Sequence, residues 1–371
     1  MKSILLVIPH NPVWIGSSEN IVHHPAFYRK LSIFANFFNY VIVLRGSSKN
    51  ETSEKIKLIH DNKSYVIIDF PMKYSNILMY TLMFIVNFTN LVLHFKTFKS
   101  MKLFLLCFNH VHFYSLYAKM LSKIMNLKVI SFYVTTPMNF KESILYLISK
   151  ILDSLSIVNH PIIALKLKLR KPVVIPNVPG RSFFCKINPK SRDRKILLFV
   201  GRLSKEKKPS MAIFIIAKLK RKIPDVRLLV IGNGPLRPYL EKIAEAFNIY
   251  DKNVFLLGHK PLNEVLKYMK SAGFLIYTSL DEYFPNVLIE AMACGLPVIA
   301  PKLPQYSWIV GNDVFRYAKT DEVVEYIANL ILDEHLYSEH VKRQSERLKH
   351  ILLLYNNQLR ALKRNIAKLT D

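Results

Sequence analysis

The sequence is poor in cysteine. Its three cysteines, Cys107, Cys185 and Cys294, match neither a disulfide framework nor a metal-binding spacing. Cys107 falls in an apolar run typical of a strand, and Cys294 falls at the end of a predicted helix. We therefore expect buried thiols, which suit a protein of the reducing cytoplasm.

Acidic residues are half as numerous as basic ones. The chain has 26 Asp and Glu against 53 Lys and Arg, a formal net charge of +27. The excess is not confined to a tail, because residues 1–185 contain 22 basic and 7 acidic residues and residues 186–371 contain 31 and 19. Such a charge favours anionic membranes, nucleic acid or phosphorylated ligands as partners. The same charge is also consistent with a basic, solvated surface that binds no such partner.

The sequence also lacks internal repeats, low-complexity blocks and a signal-sequence core. The apolar run at 4–8 is too short for such a core and predicts a first parallel strand instead. One apolar run, 77–95, has nineteen residues without a formal charge and approaches the ~20 needed to span a bilayer. Five polar residues interrupt this run: Thr81, Asn87, Thr89, Asn90 and His94. We therefore expect a buried or membrane-facing helix there.

Apolar strands alternate with helical stretches, which is the pattern of a parallel sheet covered on both faces. In the first half, strands are predicted at 3–8, 40–44, 65–69, 103–108, 128–132, 155–158 and 172–176, with helices at 20–38, 77–99, 113–125 and 140–151. In the second half, strands are predicted at 196–200, 227–231, 253–257, 273–277 and 296–300, with helices at 209–222, 235–248, 261–271, 286–294 and about 335–369. At 371 residues the chain exceeds one compact core, so two domains are expected. Turn-forming residues at 176–181 and a polar stretch at 188–195 predict the linker.

Residues 281–295 (DEYFPNVLIEAMACG) combine two carboxylates with a helix start and a helix stop. Pro285 suits the first turn of a helix, and Gly295 suits the left-handed residue that ends one. The free N–H groups at such a helix start, after an apolar strand, favour a phosphate. Glu282 and Glu290 can instead accept hydrogen bonds from sugar or ribose hydroxyls. A phosphate site beside hydroxyl acceptors indicates a nucleotide-sugar, although a glycosidase-like carboxylate pair also remains open.

The stretch resembles a known motif. Glu282 and Glu290, with seven residues between them and a Phe-Pro-Asn insert, resemble the E-x7-E motif of the family 4 retaining glycosyltransferases of the GT-B fold. The resemblance continues through 200–209 (VGRLSKEKKP), 230–235 (VIGNGP) and 255–258 (FLLG). It covers about residues 172–300 well and the N-terminal half in outline.

The resemblance implies an α/β protein of the GT-B fold, with two Rossmann-like, doubly wound parallel-sheet domains facing a central cleft. Residues 1–180 would form the N-terminal acceptor-binding domain, and residues 190–350 would form the C-terminal nucleotide-sugar-binding domain. The C-terminal helix, 351–371, would pack back on the N-terminal domain.

The same resemblance implies four catalytic residues: Arg202, Lys207, His112 and Glu282. Arg202 and Lys207 follow the first strand of the second domain. Cations preorganised there would stabilise the charge that develops on a departing diphosphate. Glu282 and His112 would contact the donor sugar, although strand alternation leaves His110 open in place of His112.

The donor-binding set implied by the resemblance consists of Gly16, Ser17, Gly201, Gly232, Asn233, Gly234, Gly258, His259, Phe284, Pro285, Asn286, Val287 and Glu290. Glu290 would hold the ribose hydroxyls. Ser17 replaces the second glycine of the family's first loop. If the loop requires a positive φ at this position, a serine there would be strained. Gly232 and Gly234 are equally compatible with a tight turn alone. No Asp-x-Asp motif occurs near a strand end, so neither a catalytic metal nor another cofactor is expected.

We therefore expect a hexosyltransferase that moves a hexose-type sugar from a nucleoside diphosphate sugar to a glycan or lipid-linked acceptor with retention. Its expected place is the cytoplasm, peripherally on the inner face of the membrane, with an anionic lipid surface as partner. A GT-B phosphorylase, which would bind pyridoxal phosphate, and a nucleotide-sugar epimerase are the alternatives. A nucleic-acid-binding protein would interleave basic residues with exposed aromatic ones. No element shows that pattern, so no nucleic acid is expected.

Overall fold

The computed structural model describes residues 2–8, 31, 33–34, 37–38, 40–47, 56–60, 63–71, 88–89, 92–93, 101–108, 113–137, 140–184, 192–311, 314–315 and 320–370. Contacts within the chain divide it into two compact units. The first unit comprises Met1–Ile175 and Asn356–Asp371, and the second comprises Pro176–Tyr355.

The first unit is built on an eight-stranded sheet with the order β3-β4-β2-β1-β5-β6-β7-β8. Its strands are β1 (Lys2–Ile8), β2 (Tyr40–Ser47), β3 (Ile56–His60), β4 (Lys63–Pro71), β5 (Met101–Phe108), β6 (Lys128–Tyr133), β7 (Leu155–Val158) and β8 (Val173–Val174). Its described helices include α1 (Phe113–Ile124), α2 (Phe140–Ile151) and α3 (Pro161–Leu167). All strand pairs are parallel except β3 with β4. The strand order reverses beside β1, so this sheet is doubly wound.

The second unit has a six-stranded, wholly parallel sheet with the order β11-β10-β9-β12-β13-β14. Its strands are β9 (Asp193–Val200), β10 (Arg227–Ile231), β11 (Val254–Gly258), β12 (Ala272–Ile276), β13 (Val298–Pro301) and β14 (Val314–Phe315). Its helices include α4 (Pro209–Leu219), α5 (Arg237–Ala246), α6 (Leu262–Ser271), α7 (Asn286–Ala293), α8 (Pro304–Val310) and α9 (Thr320–Leu332). Helix α10 (Glu334–Thr370) begins in this unit, and its last residues belong to the first. Two apolar clusters form the core of the unit.

The predicted fold class is confirmed: both units are α/β and built on parallel sheets. The predicted helix boundaries around residue 290 are also confirmed, since Pro285 immediately precedes α7. Gly295 has φ +64° and follows its last turn. Such a left-handed residue ends a helix at least cost when it has no Cβ.

Several elements differ from the sequence prediction. Strand β3 forms an antiparallel hairpin with β4, and α3, α8 and α9 are additional helices. Strand β9 begins at Asp193, so the predicted linker to residue 195 ends inside a strand. The short helices α3 and α8 begin with Pro161 and Pro304, which the sequence analysis did not use as helix starts.

No helix among the described residues is both long enough and apolar enough to cross a membrane. Only residues 88–89 and 92–93 of the uncharged run 77–95 are described. They are helical, and Phe88 and Val92 are fully buried. The rest of that run lies outside the described residues.

Two cysteines are buried as predicted. Cys107 lies on β5 and Cys294 follows α7, and neither forms a disulfide. Burial raises the pKa of Cys107 to about 12. This thiol is therefore protonated and unreactive at neutral pH. Cys185 lies outside the described residues.

Candidate active site in the second unit

The candidate site lies where β9, β10, β11 and β12 end. The loop after β9 is held against the turn after β10 by three backbone hydrogen bonds of 3.0 Å: Gly201 N to Ile231 O, Leu203 N to Asn233 O, and Leu236 N to Leu203 O. Carboxyl ends of parallel strands are the usual binding edge of such sheets. The loop that carries Arg202 and Lys207 is thus fixed at this edge.

Gly232 allows the two turns to approach each other. Its φ is +138°, and a Cβ at this position would lie 1.9 Å from the carbonyl oxygen of Gly201. A Cβ on Gly234 would lie 2.4 Å from the carbonyl oxygen of Leu203. Protein backbone therefore fills the space that each missing side chain leaves. Contact of Gly232, Asn233 and Gly234 with a donor stays a prediction.

The β9 loop is also tied to the acidic motif. The Thr278 hydroxyl donates to the carbonyl of Lys207 at 2.8 Å, and the Ser279 hydroxyl donates to the carbonyl of Glu206 at 2.9 Å. Both hydroxyl residues are buried and lie between β12 and Glu282. These two bonds bring a basic loop next to an acidic one, although 71 and 73 residues separate the bonded pairs.

Lys207 and Glu282 form an ion pair at the centre of the site. The ammonium Nζ lies 2.5 Å from Oε1 of Glu282, with the side chains 20% and 31% exposed. Lys207 Nζ also lies 5.9 Å from the centre of the Tyr277 ring. The structure thus brings together two of the four predicted catalytic residues. Both side chains remain accessible to solvent and to a ligand.

Two buried tyrosines hold Glu282. The hydroxyl of Tyr277 donates to Oε2 of Glu282, and the hydroxyl of Tyr306 accepts from the Glu282 backbone N–H at 3.2 Å. Their rings pack edge to face with centres 5.2 Å apart. Burial, and next the Glu282 charge, raise the pKa of Tyr277 well above its ordinary range. Burial raises the pKa of Tyr306 to about 12, so both phenols are neutral at physiological pH.

Arg202 and Glu206 lie on the open side of the β9 loop, and both are exposed. A 2.5 Å hydrogen bond from the Ser204 hydroxyl lowers the pKa of the Glu206 carboxyl. Arg202 and Lys207 contribute smaller lowering effects to that pKa. An anionic ligand near Arg202 would therefore share this cation with Glu206.

Helix α7 begins beside these loops. Pro285 precedes its first residue, and the Asn286 side-chain oxygen accepts a 2.8 Å bond from the amide of Asn177. Phe284 is buried and packs edge to face against Trp308, with ring centres 6.1 Å apart. The backbone N–H groups of the first turn and the helix dipole favour an anion at this position.

Glu290 lies one turn into α7 and is half-buried. Its neighbours Ala291, Met292 and Ala293 are buried, as predicted. Gly258 ends β11 with φ +71°, and its carbonyl accepts a 2.8 Å bond from the N–H of Gly232. His259 follows it and is exposed. The donor-binding roles of these residues stay predictions.

Three predicted site residues, Gly16, Ser17 and His112, lie outside the described residues, as does the alternative His110. Sequence reasoning missed Tyr277, Tyr306 and Asn177. The apolar strand and helix patterns around the two tyrosines are typical of core residues. The only signal in the sequence is that a tyrosine at a core position has a hydroxyl that needs a hydrogen-bond partner.

Among the described residues, no group of three or more His, Cys, Asp or Glu side chains could hold a metal ion. The expectation of a metal-independent site stays a prediction.

Residues 181–350 match the family model described as Glycosyl transferases group 1. These residues of the chain are thus similar to the group 1 glycosyltransferases. The match contains the β9 loop, both glutamates and α7.

Curated proteins that are similar to the chain are also named as glycosyltransferases. The chain is 28% identical over 163 residues to the phosphatidylinositol N-acetylglucosaminyltransferase gpi3 subunit of Schizosaccharomyces pombe, covering 43% of this chain and 36% of that protein. It is 38% identical over 105 residues to N-acetylgalactosamine-N,N'-diacetylbacillosaminyl-diphospho-undecaprenol 4-alpha-N-acetylgalactosaminyltransferase of Campylobacter jejuni, covering 28% and 27% of the two chains. The chain thus spans well under half the length of these relatives.

A solved structure aligns with almost the whole chain. An E. coli structure described as trehalose-6-phosphate bound with UDP-2-fluoro glucose aligns with a TM-score of 0.70 at 12% identity. The alignment covers 98% of both chains. At this identity the likeness establishes the two-domain GT-B fold and leaves the substrate open.

Proposed function

We propose that this protein transfers a hexose-type sugar from a nucleoside diphosphate sugar to an acceptor hydroxyl with retention at the anomeric carbon. One observation carries the proposal. Two backbone carbonyls of the loop with Arg202 and Lys207 accept hydrogen bonds from Thr278 and Ser279, just before Glu282 and the start of α7. The groups that we propose for the diphosphate and for the hydroxyls therefore share one edge of the sheet, within the family-matched region.

The charge distribution suits the chemistry. The α7 N-terminus, Arg202 and Lys207 would hold the diphosphate. As the bond between anomeric carbon and diphosphate oxygen breaks, the leaving oxygen gains negative charge. These groups are preorganised to stabilise that charge. The acceptor oxygen forms its bond to the same face of the carbon, and its proton passes to the departing phosphate.

The ion pair between Lys207 and Glu282 would separate when the donor binds. Lys207 would turn to the diphosphate, and Glu282 would accept hydrogen bonds from sugar hydroxyls. Both side chains are partly exposed, so breaking the pair leaves neither charge buried. Exposed or half-exposed ion pairs contribute little to stability, about 0–1 kcal/mol. Donor contacts can therefore replace this pair at little cost.

The acceptor is proposed to be a glycan or a lipid-linked saccharide. The relatives from S. pombe and C. jejuni carry phosphatidylinositol and diphospho-undecaprenol in their names. A net charge of +27 suits an enzyme that works at an anionic membrane. We place the protein in the cytoplasm, peripherally on the inner face of the membrane.

The experiment is a thermal-shift panel of nucleoside diphosphate sugars and free nucleoside diphosphates on the purified chain. A bound donor raises the melting temperature by mass action. The transfer proposal predicts a shift with one donor class and release of its nucleoside diphosphate when acceptor is added. A protein that shows pyridoxal phosphate absorbance, or that converts the donor to an epimer without releasing the nucleoside diphosphate, would instead support the phosphorylase or epimerase alternative.

A further inference from the structure

The first unit contains a basic pocket that the proposed chemistry does not use. Its volume is about 970 Å³, and it lies where β7 and β8 begin. Ligands of open parallel sheets bind at the carboxyl ends of the strands, which is the opposite edge. Five cationic side chains line the pocket: Lys150, Lys168, Arg170, Lys171 and Lys368.

The charge of this pocket is not neutralised locally. Lys150 donates to the carbonyl of Leu167 at 3.2 Å, and no described carboxylate lies within ion-pair distance of the five cations. The only acidic residue in the lining is Asp153. The pocket therefore favours an anionic ligand.

Asp153 does not offset that charge, because Lys119 already neutralises it. Its Oδ1 accepts from Lys119 Nζ at 2.8 Å and from Ser131 Oγ at 2.5 Å, and its Oδ2 accepts from Tyr133 at 2.6 Å and Ser156 at 3.0 Å. The side chains of Lys119 and Asp153 are 0% and 2% exposed. The carboxylate has no accepting capacity left for a ligand or for a lysine of the pocket.

Helix α2 has a second apolar face, which is turned to solvent. One face packs in the core through Leu145 and Tyr146. On the other, four side chains that follow one another at helical spacing are 41–72% exposed: Ile144, Leu147, Ile148 and Ile151. A single exposed leucine on a helix is ordinary, but a continuous apolar face exposed to solvent is typical of a surface that binds a partner.

The apolar face and the pocket are continuous. Lys150 and Ile151, the last residues of α2, line the pocket. The neighbouring helix α1 exposes Ile124 at 81%, and α3 exposes Leu165 at 76%, three residues before Lys168. Helices α1, α2 and α3 thus each expose a large apolar side chain in their last turn.

We propose that this surface, formed by the exposed face of α2, Ile124, Leu165 and the basic pocket, docks on an anionic phospholipid bilayer. The phosphate of a lipid headgroup would occupy the pocket, and the isoleucines and leucines would enter the headgroup boundary. Cationic residues beside an apolar helix face are the combination that binds anionic lipid interfaces. The inference rests on the membrane association in the proposed function and specifies the surface that makes it, and donor binding by the second unit does not depend on it.

The test is flotation of the full chain with vesicles of phosphatidylcholine alone and vesicles that also contain phosphatidylglycerol, without donor. We expect binding to the anionic vesicles only, weakened by salt. The variant Arg170→Gln/Lys171→Gln should bind roughly 25-fold more weakly, at about fivefold for each cation near the surface. Leu147→Gln/Ile151→Gln should also lose binding.

Matched control variants remove two cations or two leucines from the second unit instead. Lys342→Gln/Lys349→Gln removes two exposed cations from α10 in the second unit, and Leu332→Gln/Leu353→Gln removes two exposed leucines from α9 and α10 of the same unit. Both should bind vesicles like the unchanged chain. Thermal melting shows whether each variant is folded.

Three results would overturn the inference: equal binding to neutral vesicles, equal loss in the control variants, or vesicle binding that the pocket and α2 variants leave intact. A dimer by light scattering that only Leu147→Gln/Ile151→Gln dissociates would assign the apolar face to a second copy of the chain. Thermal shifts with nucleoside diphosphate sugars are measured separately. Failure of the lipid site is therefore distinguishable from failure of the proposed function.

Discussion

The hydroxyl of Tyr277 donates a hydrogen bond to Oε2 of Glu282, and Lys207 contacts the other carboxylate oxygen. The tyrosine is 4% exposed, whereas the carboxylate is 31% exposed. A rigid, buried donor thus orients an accessible acceptor. Because the phenol is neutral, it directs the carboxylate without cancelling its charge.

Tyr277→Phe should reduce turnover with the complete donor and leave nucleoside diphosphate affinity nearly unchanged. Phenylalanine fills the same volume but cannot orient Glu282, and one lost hydrogen bond to a charged group corresponds to about 1.5–3 kcal/mol. Steady-state kinetics and calorimetry with the free nucleoside diphosphate provide the two measurements. Tyr337→Phe, which removes a buried hydroxyl that donates to the carbonyl of Gly273, is the control for loss of stability alone. Equal kinetic losses in both variants would mean that Tyr277 acts only through stability.

Replacing Arg202 or Lys207 with alanine should lower turnover by about 10²–10³, the range for a lost donor to a developing oxyanion. Folding should change little because Arg202 is exposed and the Lys207–Glu282 pair is partly exposed. Lys205→Ala removes an exposed cation from the same loop and should retain activity. Turnover at the level of the unchanged chain in Arg202→Ala or Lys207→Ala would contradict the assigned roles.

Substitutions of the two glutamates should affect the binding of different ligands. Glu290→Gln should weaken binding of the nucleoside diphosphate itself, because its proposed partner is the ribose. Glu282→Gln should spare that affinity and weaken binding or turnover of the complete donor. Calorimetry with both ligands measures the difference, and equal losses for both variants would show that the roles are wrong.

Gly232→Ala should destabilise the second unit. A Cβ there would lie 1.9 Å from backbone oxygen, and φ is +138°, so the two turns would have to separate. We expect a loss on the order of 3 kcal/mol. Gly201→Ala is the matched control, since its Cβ would meet only the Phe199 ring at 3.7 Å. Denaturant unfolding compares the two, and an equally stable Gly232→Ala would contradict the close approach.

Stability should fall at alkaline pH. The ordinary tyrosine pKa is 10.0, and burial raises the pKa of Tyr306 and of Tyr337 to about 12. Because the pKa of each phenol is higher in the folded than in the unfolded state, its contribution to stability is complete below pH 10 and is lost as the pH rises towards 12. Unfolding measured from pH 9 to 12 should show this decline, and Tyr337→Phe should reduce its slope. A flat profile up to pH 12 would contradict burial of these phenols as neutral groups.

Local patterns predicted most of the second sheet. Helix α7 has its starting proline and terminal glycine in sequence, and the β9 loop and both glutamates were predicted with it. The contact between Lys207 and Glu282 was not predicted, because 75 residues separate them. Similarly, the pairing of Lys119 with Asp153 depends on how α1 packs against α2 and β6. Strand β3 was missed because it pairs antiparallel in a sheet read as parallel throughout.

The central claim is that the chain moves a sugar from a nucleoside diphosphate to an acceptor. The most direct measurement follows a donor labelled in its sugar, incubated with the purified chain and membrane lipid extract. The account predicts that label enters a lipid-soluble or glycan product, with one nucleoside diphosphate released for each sugar transferred, and that Lys207→Ala nearly abolishes both. A donor that binds but yields neither labelled product nor nucleoside diphosphate, across all acceptors offered, would contradict the account.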